Sequence, residues 1–174
     1  SGNYELAKSV SGNKLIMLDF YANWWGGCTR LDAETFSDSR MIEIADQYIS
    51  IKLNVDIEKN NSISDSFNVS TIPQNIFVDS KGIEVDRIVG FFPPEIFLEK
   101  VKNILKGVNT IEDLKNRVIE TPEDINLLLL LADKYENIGS YFKSEKIYYD
   151  LLNLDIQSET KESVIYKLAK IKLN

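Results

Sequence analysis

The chain has no histidine and one cysteine, Cys28, among its 174 residues. A single thiol excludes an intrachain disulfide, and the missing imidazole removes Cys/His zinc sites and the commonest general base. Taken without any motif, a lone cysteine reads as a small buried hydrophobe. Basic charge is also short: 20 Lys and Arg against 27 Asp and Glu leave a net charge of −7 and a pI near 4.7. That balance argues against nucleic acid or an anionic membrane as partner, because both would be repelled at long range. The longest apolar run, Leu127 to Ala132, is far too short for a membrane span, and no charged-then-apolar leader opens the chain. What is present, 44% hydrophobic and 27% charged residues, suits a globular protein with a sizeable core: one domain, or one with an appendage.

Periodicity divides the chain at Gly107. Before it, spaced apolar residues over Tyr4 to Val10 predict a short helix, and the nearly unbroken apolar run Leu15 to Tyr21 predicts a central strand covered on both faces. Asp19 is the anomaly in that strand, since a buried carboxylate is costly unless it is satisfied locally or kept for function. Cys28, Leu31, Thr35 and Phe36 recur at helical spacing, the pattern breaks at Ser37-Asp38-Ser39, and Met41, Ile44, Ala45 and Tyr48 restart it. Ile49 to Val55 alternates as a second inner strand with Lys52 inside it, and a short helix is expected near Ser62 to Phe67. Pro73 immediately precedes an apolar strand, a position restricted to a first residue or a turn. Ser80-Lys81-Gly82 then predicts a hairpin into Glu84 to Val89, and Pro94 opens a helix ended by Gly107.

Within this frame the stretch Asp19-Phe20-Tyr21-Ala22-Asn23-Trp24-Trp25-Gly26-Gly27-Cys28-Thr29 runs from strand through a Gly-rich turn into a helix. It resembles the thioredoxin superfamily, whose active site lies at such a junction and reads Trp-Cys-Gly-Pro-Cys-Lys. The resemblance covers roughly residues 4 to 106. It implies an α/β, thioredoxin-like fold, a central mixed sheet flanked by helices, followed here by an all-α extension; the domains are expected over 1–107 and 108–174. Laid over the family motif, Trp24 matches its tryptophan, Trp25 stands where the attacking cysteine belongs, Gly26 keeps the glycine, Gly27 replaces proline, and Cys28 takes the resolving position. The resemblance also implies that Asp19 lies beneath the site with Lys52 beside it, helping to move the proton of Cys28. Pro73, preceded by Ile72, matches a proline that has a cis peptide bond in the family and borders the surface receiving an extended substrate. Gln74 departs from the threonine that usually follows. The family implies no cofactor, and the residues suggest no metal.

Beyond Gly107 nothing reads as a strand. Helices are expected from Thr110 to Glu120, from Pro122 through Tyr135, over Ser144 to Leu154, and from about Ser158 onward. Leu128, Leu131, Ala132 and Tyr135, followed by Ser144, Tyr148 and Leu151, resemble one tetratricopeptide repeat, although Ile156 stands where that repeat often has proline. A plain helical appendage and a peptide-binding repeat are equally compatible with the pattern.

Three functions fit these residues. The first is a protein of thiol:disulfide interchange ancestry that lacks dithiol activity and binds a peptide or protein through Trp24, Trp25, Gly26, Gly27, Ile72 and Pro73. In the second, Cys28 serves as a monothiol with an external thiol such as glutathione. The third takes Trp25 as an engineered replacement in an ordinary dithiol enzyme, and is disfavoured because such changes normally use Ser or Ala. Secreted relatives with helical tails imply an extracytoplasmic, periplasmic location in a bacterium, cytoplasm being the alternative. The sequence leaves substrate and oligomeric state open.

Overall fold

The structure, a computed structural model, describes residues 2–173. Its contacts separate two compact units, one ending at Thr110 and one beginning at Ile111.

The first unit is built on a four-stranded sheet in the order β2-β1-β3-β4, with β1 (Leu15–Tyr21), β2 (Tyr48–Asn54), β3 (Gln74–Val78) and β4 (Glu84–Val89). β1 runs parallel to β2, with Asp19 opposite Lys52, and antiparallel to β3, with Asp19 opposite Asn75. β3 and β4 are antiparallel, so the sheet is mixed. Alternation along β1 sorts the core into two layers. Ile16, Leu18 and Phe20 point to one face, where they join Ile51, Leu53, Ile76 and Val78 under Tyr4 and Ala7 of α1 (Gly2–Val10) and Ile63 of α4 (Asn61–Ser66). Met17 and Phe77 point to the other, against Leu31, against Met41 and Ile44 of α3 (Ser39–Ile44), and against Phe97, Val101 and Ile104 of α5 (Pro94–Leu105). Phe97 is fully buried, and truncating it to Ala would cost about 3–5 kcal/mol.

Local signals set the element ends. Asp38 caps α3 by accepting from the Arg40 N–H at 2.9 Å. The helical spacing that includes Tyr48 stops earlier than the sequence suggests: a 3₁₀ turn at Ala45–Gln47 closes α3, and Tyr48 opens β2. In the β3–β4 hairpin the Asp79 carboxylate accepts from the Lys81 and Ile83 N–H groups at 2.8 and 2.9 Å. Gly82 in that turn has φ +81°, and a Cβ there would stand 2.8 Å from the Tyr4 hydroxyl, so both backbone and space demand glycine.

The second unit consists of α6 (Ile111–Glu120), α7 (Ile125–Asn137), α8 (Tyr141–Leu152) and α9 (Ser158–Lys172). Asp124 caps α7 on the Leu127 N–H at 3.1 Å, which places its start three residues after Pro122. α8 starts at Tyr141, ahead of the expected Ser144. Leu128, Ala132, Tyr148, Leu151, Val164 and Leu168 form one buried cluster, and Leu114, Leu127, Leu131 and Tyr135 form another. The Tyr148 hydroxyl has its one proton between two acceptor carboxylates, Asp133 at 3.0 Å and Glu136, and Lys167 reaches Asp133 at 2.5 Å. The ring is therefore buried with its polar end satisfied.

Candidate functional site

The site grows out of the C-terminal end of β1. After Tyr21 the chain turns at Ala22, with the Trp25 N–H donating to the Ala22 carbonyl at 3.3 Å, and enters α2 (Gly26–Arg30), which continues as a π-helix over Leu31–Phe36. Trp25 is the N-cap: its backbone is extended, at φ −90° and ψ 118°, and its carbonyl accepts from the N–H groups of Cys28 and Thr29 at 3.0 and 3.1 Å. An indole cannot supply the side-chain acceptor that Ser, Thr or Asp gives at this place, so Trp25 is a poor cap. The surface exposed here is substantial. Trp24 is 68% exposed and Trp25 46%, and the two rings meet edge to face with centroids 5.9 Å apart.

Two contacts orient the pair. The Trp24 Nε1–H donates to the Asp56 carboxylate at 2.9 Å. The Trp25 ring lies back over Gly27: a Cβ on Gly27 would stand 3.1 Å from its Nε1 and 3.3 Å from Pro73 Cδ. Trp25, Gly27 and Pro73 thus form one contiguous patch, and the Ile72–Pro73 peptide bond is cis. Beside it runs an open groove of about 320 Å³ lined by Trp24, Val55, Ser64, Asp65, Thr71 and Ile72. Gln74 does not belong to this rim. It is buried, accepts from Arg87 Nη1 at 3.1 Å and donates to the Thr71 hydroxyl at 3.2 Å, so it holds the segment before β3 in place.

Beneath the rim lies a polar floor. Cys28 is 3% exposed on the face of α2 turned to the sheet. Burial pushes its thiol pKa upward; the Ala22 backbone pulls it down, and the nearby Asp19 and Asp32 carboxylates push it up again. At neutral pH the group is a thiol. Asp19, 1% exposed, has its pKa raised to about 6, chiefly by desolvation, with the Lys52 ammonium only partly opposing it. The reason is geometric. Lys52 Nζ stands 3.5 Å from Asp19 and 2.5 Å from Asp32, and the Asp32 carboxylate adds a like charge that offsets part of what the ammonium gives Asp19. Desolvation lowers the Lys52 pKa, but the two carboxylates outweigh it and the net shift is upward.

The expectation that Lys52 sits on a second inner strand needs correction for the described residues. Only Asp19 is buried; the Lys52 side chain is 44% exposed because β2 lies at the edge of the sheet. Three further residues belong to the site and were not anticipated. Asp32 competes for Lys52, Asp56 holds Trp24, and Asn75 stands opposite Asp19 on the neighbouring strand. Asn75 is fully buried, and neither end of its amide has a hydrogen-bond partner among the described residues; the same holds for Asp19 Oδ1. The available signal was the amide of Asn75 between Gln74 and the apolar run Ile76 to Val78, together with the four-residue spacing from Cys28 to Asp32. Among the described residues no cluster of three or more His, Cys, Asp or Glu could hold a metal, and no helix is long and apolar enough to cross a membrane.

A family model described as a thioredoxin-like domain matches residues 3–105. The chain belongs to that family. It is similar to the thiol:disulfide interchange protein DsbD of Campylobacter jejuni (strain RM1221), with 38% identity over 104 residues, 58% of this chain and 18% of the relative. It is also similar to a chloroplastic thioredoxin-like protein of Oryza sativa subsp. japonica, with 30% identity over 104 residues, 60% of this chain and 39% of the relative. The chain therefore spans well under half the length of these relatives. Among solved structures, a putative disulphide-isomerase from Bacteroides thetaiotaomicron superposes with a TM-score of 0.52 at 25% identity, covering 59% of this chain and 87% of that one. The oxidised C-terminal domain of Neisseria meningitidis DsbD gives 0.50 at 19%, covering 59% and 90%. The family match lies within the first unit, and the ancestry is thioredoxin- and DsbD-like.

Proposed function

We propose that this thioredoxin-like unit recognises an extended peptide or protein partner and does not exchange disulfides. The observation that carries the reading is the division of labour at one turn: Trp25 presents an indole packed on Gly27 and beside Pro73, while the only thiol, Cys28, is buried and protonated. Disulfide exchange starts from an accessible thiolate and ends with a second thiol releasing the mixed disulfide, and neither is supplied here. Exposed, pre-oriented aromatics are instead the groups that anchor interfaces. In this reading Trp24, Trp25, Gly26, Gly27, Ile72 and Pro73 make the contact surface, with Trp25 at the position of the family's attacking cysteine. Asp19 and Lys52 are inherited from the catalytic ancestor. Monothiol chemistry at Cys28 is disfavoured by the same burial.

The location that accords with DsbD-like ancestry is extracytoplasmic in a bacterium, and the repeat-like helices of the second unit would add a second contact surface. The test is reduction of insulin disulfides by dithiothreitol with and without the protein. No acceleration is expected; acceleration that disappears in Cys28→Ser would overturn the proposal.

A further inference from the structure

The groove beside the rim is built from Trp24 and from the segment 55–72, and its charge is one-sided. Asp65, exposed on α4, is the only charged residue lining it. Asp56 stands at its Trp24 end, where it accepts from the indole Nε1–H at 2.9 Å. Neither carboxylate meets a cation: among the described residues no ion pair forms at Asp56 or Asp65, whereas Arg30, Arg40, Lys52 and Arg87 are each tied to a carboxylate elsewhere. The segment 55–72 carries three acids, Asp56, Glu58 and Asp65, against one base, Lys59, and Lys59 does not line the groove.

The ring completes the arrangement. Trp24 is 68% exposed and its one polar atom is spent on Asp56, so what it offers outward is a π face. An indole face attracts a cation lying within about 6 Å of its centre, and does so better than the other aromatic rings. A carboxylate at the edge of the indole and another in the groove wall add two full negative charges to that attraction. An acidic side chain brought to the same place is repelled, so the groove discriminates by sign.

We infer that the groove takes a lysine or arginine side chain of an extended partner, with its aliphatic stem against Val55, Val69 and Ile72 and its charged end on the Trp24 face beside Asp56 and Asp65. This rests on the rim being the peptide-contact surface proposed above; what it adds is the charge of the partner.

The experiment selects short random peptides from a displayed library on the full chain, then titrates the tightest one calorimetrically beside a copy whose Lys or Arg is replaced by Glu. Selected sequences are expected to be enriched in Lys and Arg, and the Glu copy to bind at least about tenfold more weakly. Affinity for the parent peptide should fall severalfold between roughly 50 and 500 mM NaCl, while that of a norleucine copy holds within about twofold. Asp65→Lys should shrink the preference for the parent over the Glu copy at least about fivefold, partly by strengthening the Glu copy, a gain that a misfolded variant cannot show. The net charge of −7 attracts any cation, so a control is included: Glu43→Lys, exposed on α3 across the sheet, changes that charge equally and should leave the preference in place. Peptides that lose affinity in Trp25→Ala but show no basic preference, or whose preference survives Asp65→Lys or falls as far in Glu43→Lys, would overturn the inference and leave the contact surface standing. Failure to select any peptide sensitive to Trp25→Ala would overturn both.

Discussion

The rim and the floor of the site are a few ångströms apart and are governed by opposite physics. On the rim, Trp24 and Trp25 expose large apolar rings whose contribution to folding is small, which leaves them free for the contact role proposed above. On the floor, Asp19 and Asn75 are buried with unpaired polar atoms, an arrangement that lowers stability and that an apolar pair would avoid. A site that kept both can lose its chemistry and still keep its surface. Exposed features persist at little energetic cost, whereas a buried carboxylate imposes its cost at every neutral pH. The contrast yields four expectations, ordered by expected effect.

The largest effect belongs to Asp19. Its folded pKa of about 6 lies above the unfolded value near 3.9, so the stability that the protonated form retains is complete below about pH 4 and is lost as pH rises through 6. Asp19→Asn removes that loss and should stabilise the protein at pH 7 by about 3 kcal/mol, a figure that already includes the opposing pull of Lys52, with the gain vanishing below pH 4. Urea unfolding of both forms at pH 4, 6 and 7.5 measures it. A variant that is less stable at pH 7.5 would show that the floor is a satisfied structural pair.

How much of this contrast could be read from the amino acids depends on which partner each residue needed. The rim was legible because it is contiguous: Trp24, Trp25, Gly26 and Gly27 adjoin, and Ile72-Pro73 precedes an unmistakable strand. The thioredoxin-like fold was legible for the same reason, each strand carrying its own pattern. Tyr48 was assigned to a helix because its spacing continues that of Met41 and Ile44; the 3₁₀ turn that diverts it is a tertiary event. The floor was legible only in Asp19. Asp32, Asp56 and Asn75 become site residues through a helix face, a loop and a strand register that no local pattern specifies. The exposure of Lys52 follows from its strand being an edge, which is a fact of topology.

Second in size is the rim itself. Trp25→Ala should weaken binding of a peptide selected on the wild-type protein from a displayed library by about 2 kcal/mol, roughly thirtyfold, while changing folding stability by less than about 1 kcal/mol. Calorimetric titration alongside thermal melting separates the two. Equal losses in both would mean that the indole is structural, and the distinction between rim and floor would fail at its centre.

Third is the reactivity of Cys28. Burial and a raised pKa predict that iodoacetamide at pH 8 labels the native thiol at least about tenfold more slowly than the thiol in urea, with the native rate still climbing at pH values where the unfolded rate has levelled. Mass spectrometry over a time course follows both. Fast native labelling would move Cys28 from the floor to the rim and revive monothiol chemistry.

The smallest effect tests the seam between the two layers. A Cβ added at Gly27 would stand 3.1 Å from Trp25 Nε1 and 3.3 Å from Pro73 Cδ; the helix backbone permits alanine there, and the indole is the movable neighbour. Gly27→Ala should therefore gain a few tenths of a kcal/mol from helix propensity and lose a similar amount in displacing the ring, leaving stability within about 0.5 kcal/mol of wild type. The displaced ring should become more exposed, so tryptophan emission shifts to the red and selected-peptide binding falls by a few fold. If stability and binding drop together by more than about 2 kcal/mol, the indole is pinned by the core beneath it, and rim and floor are one packed unit.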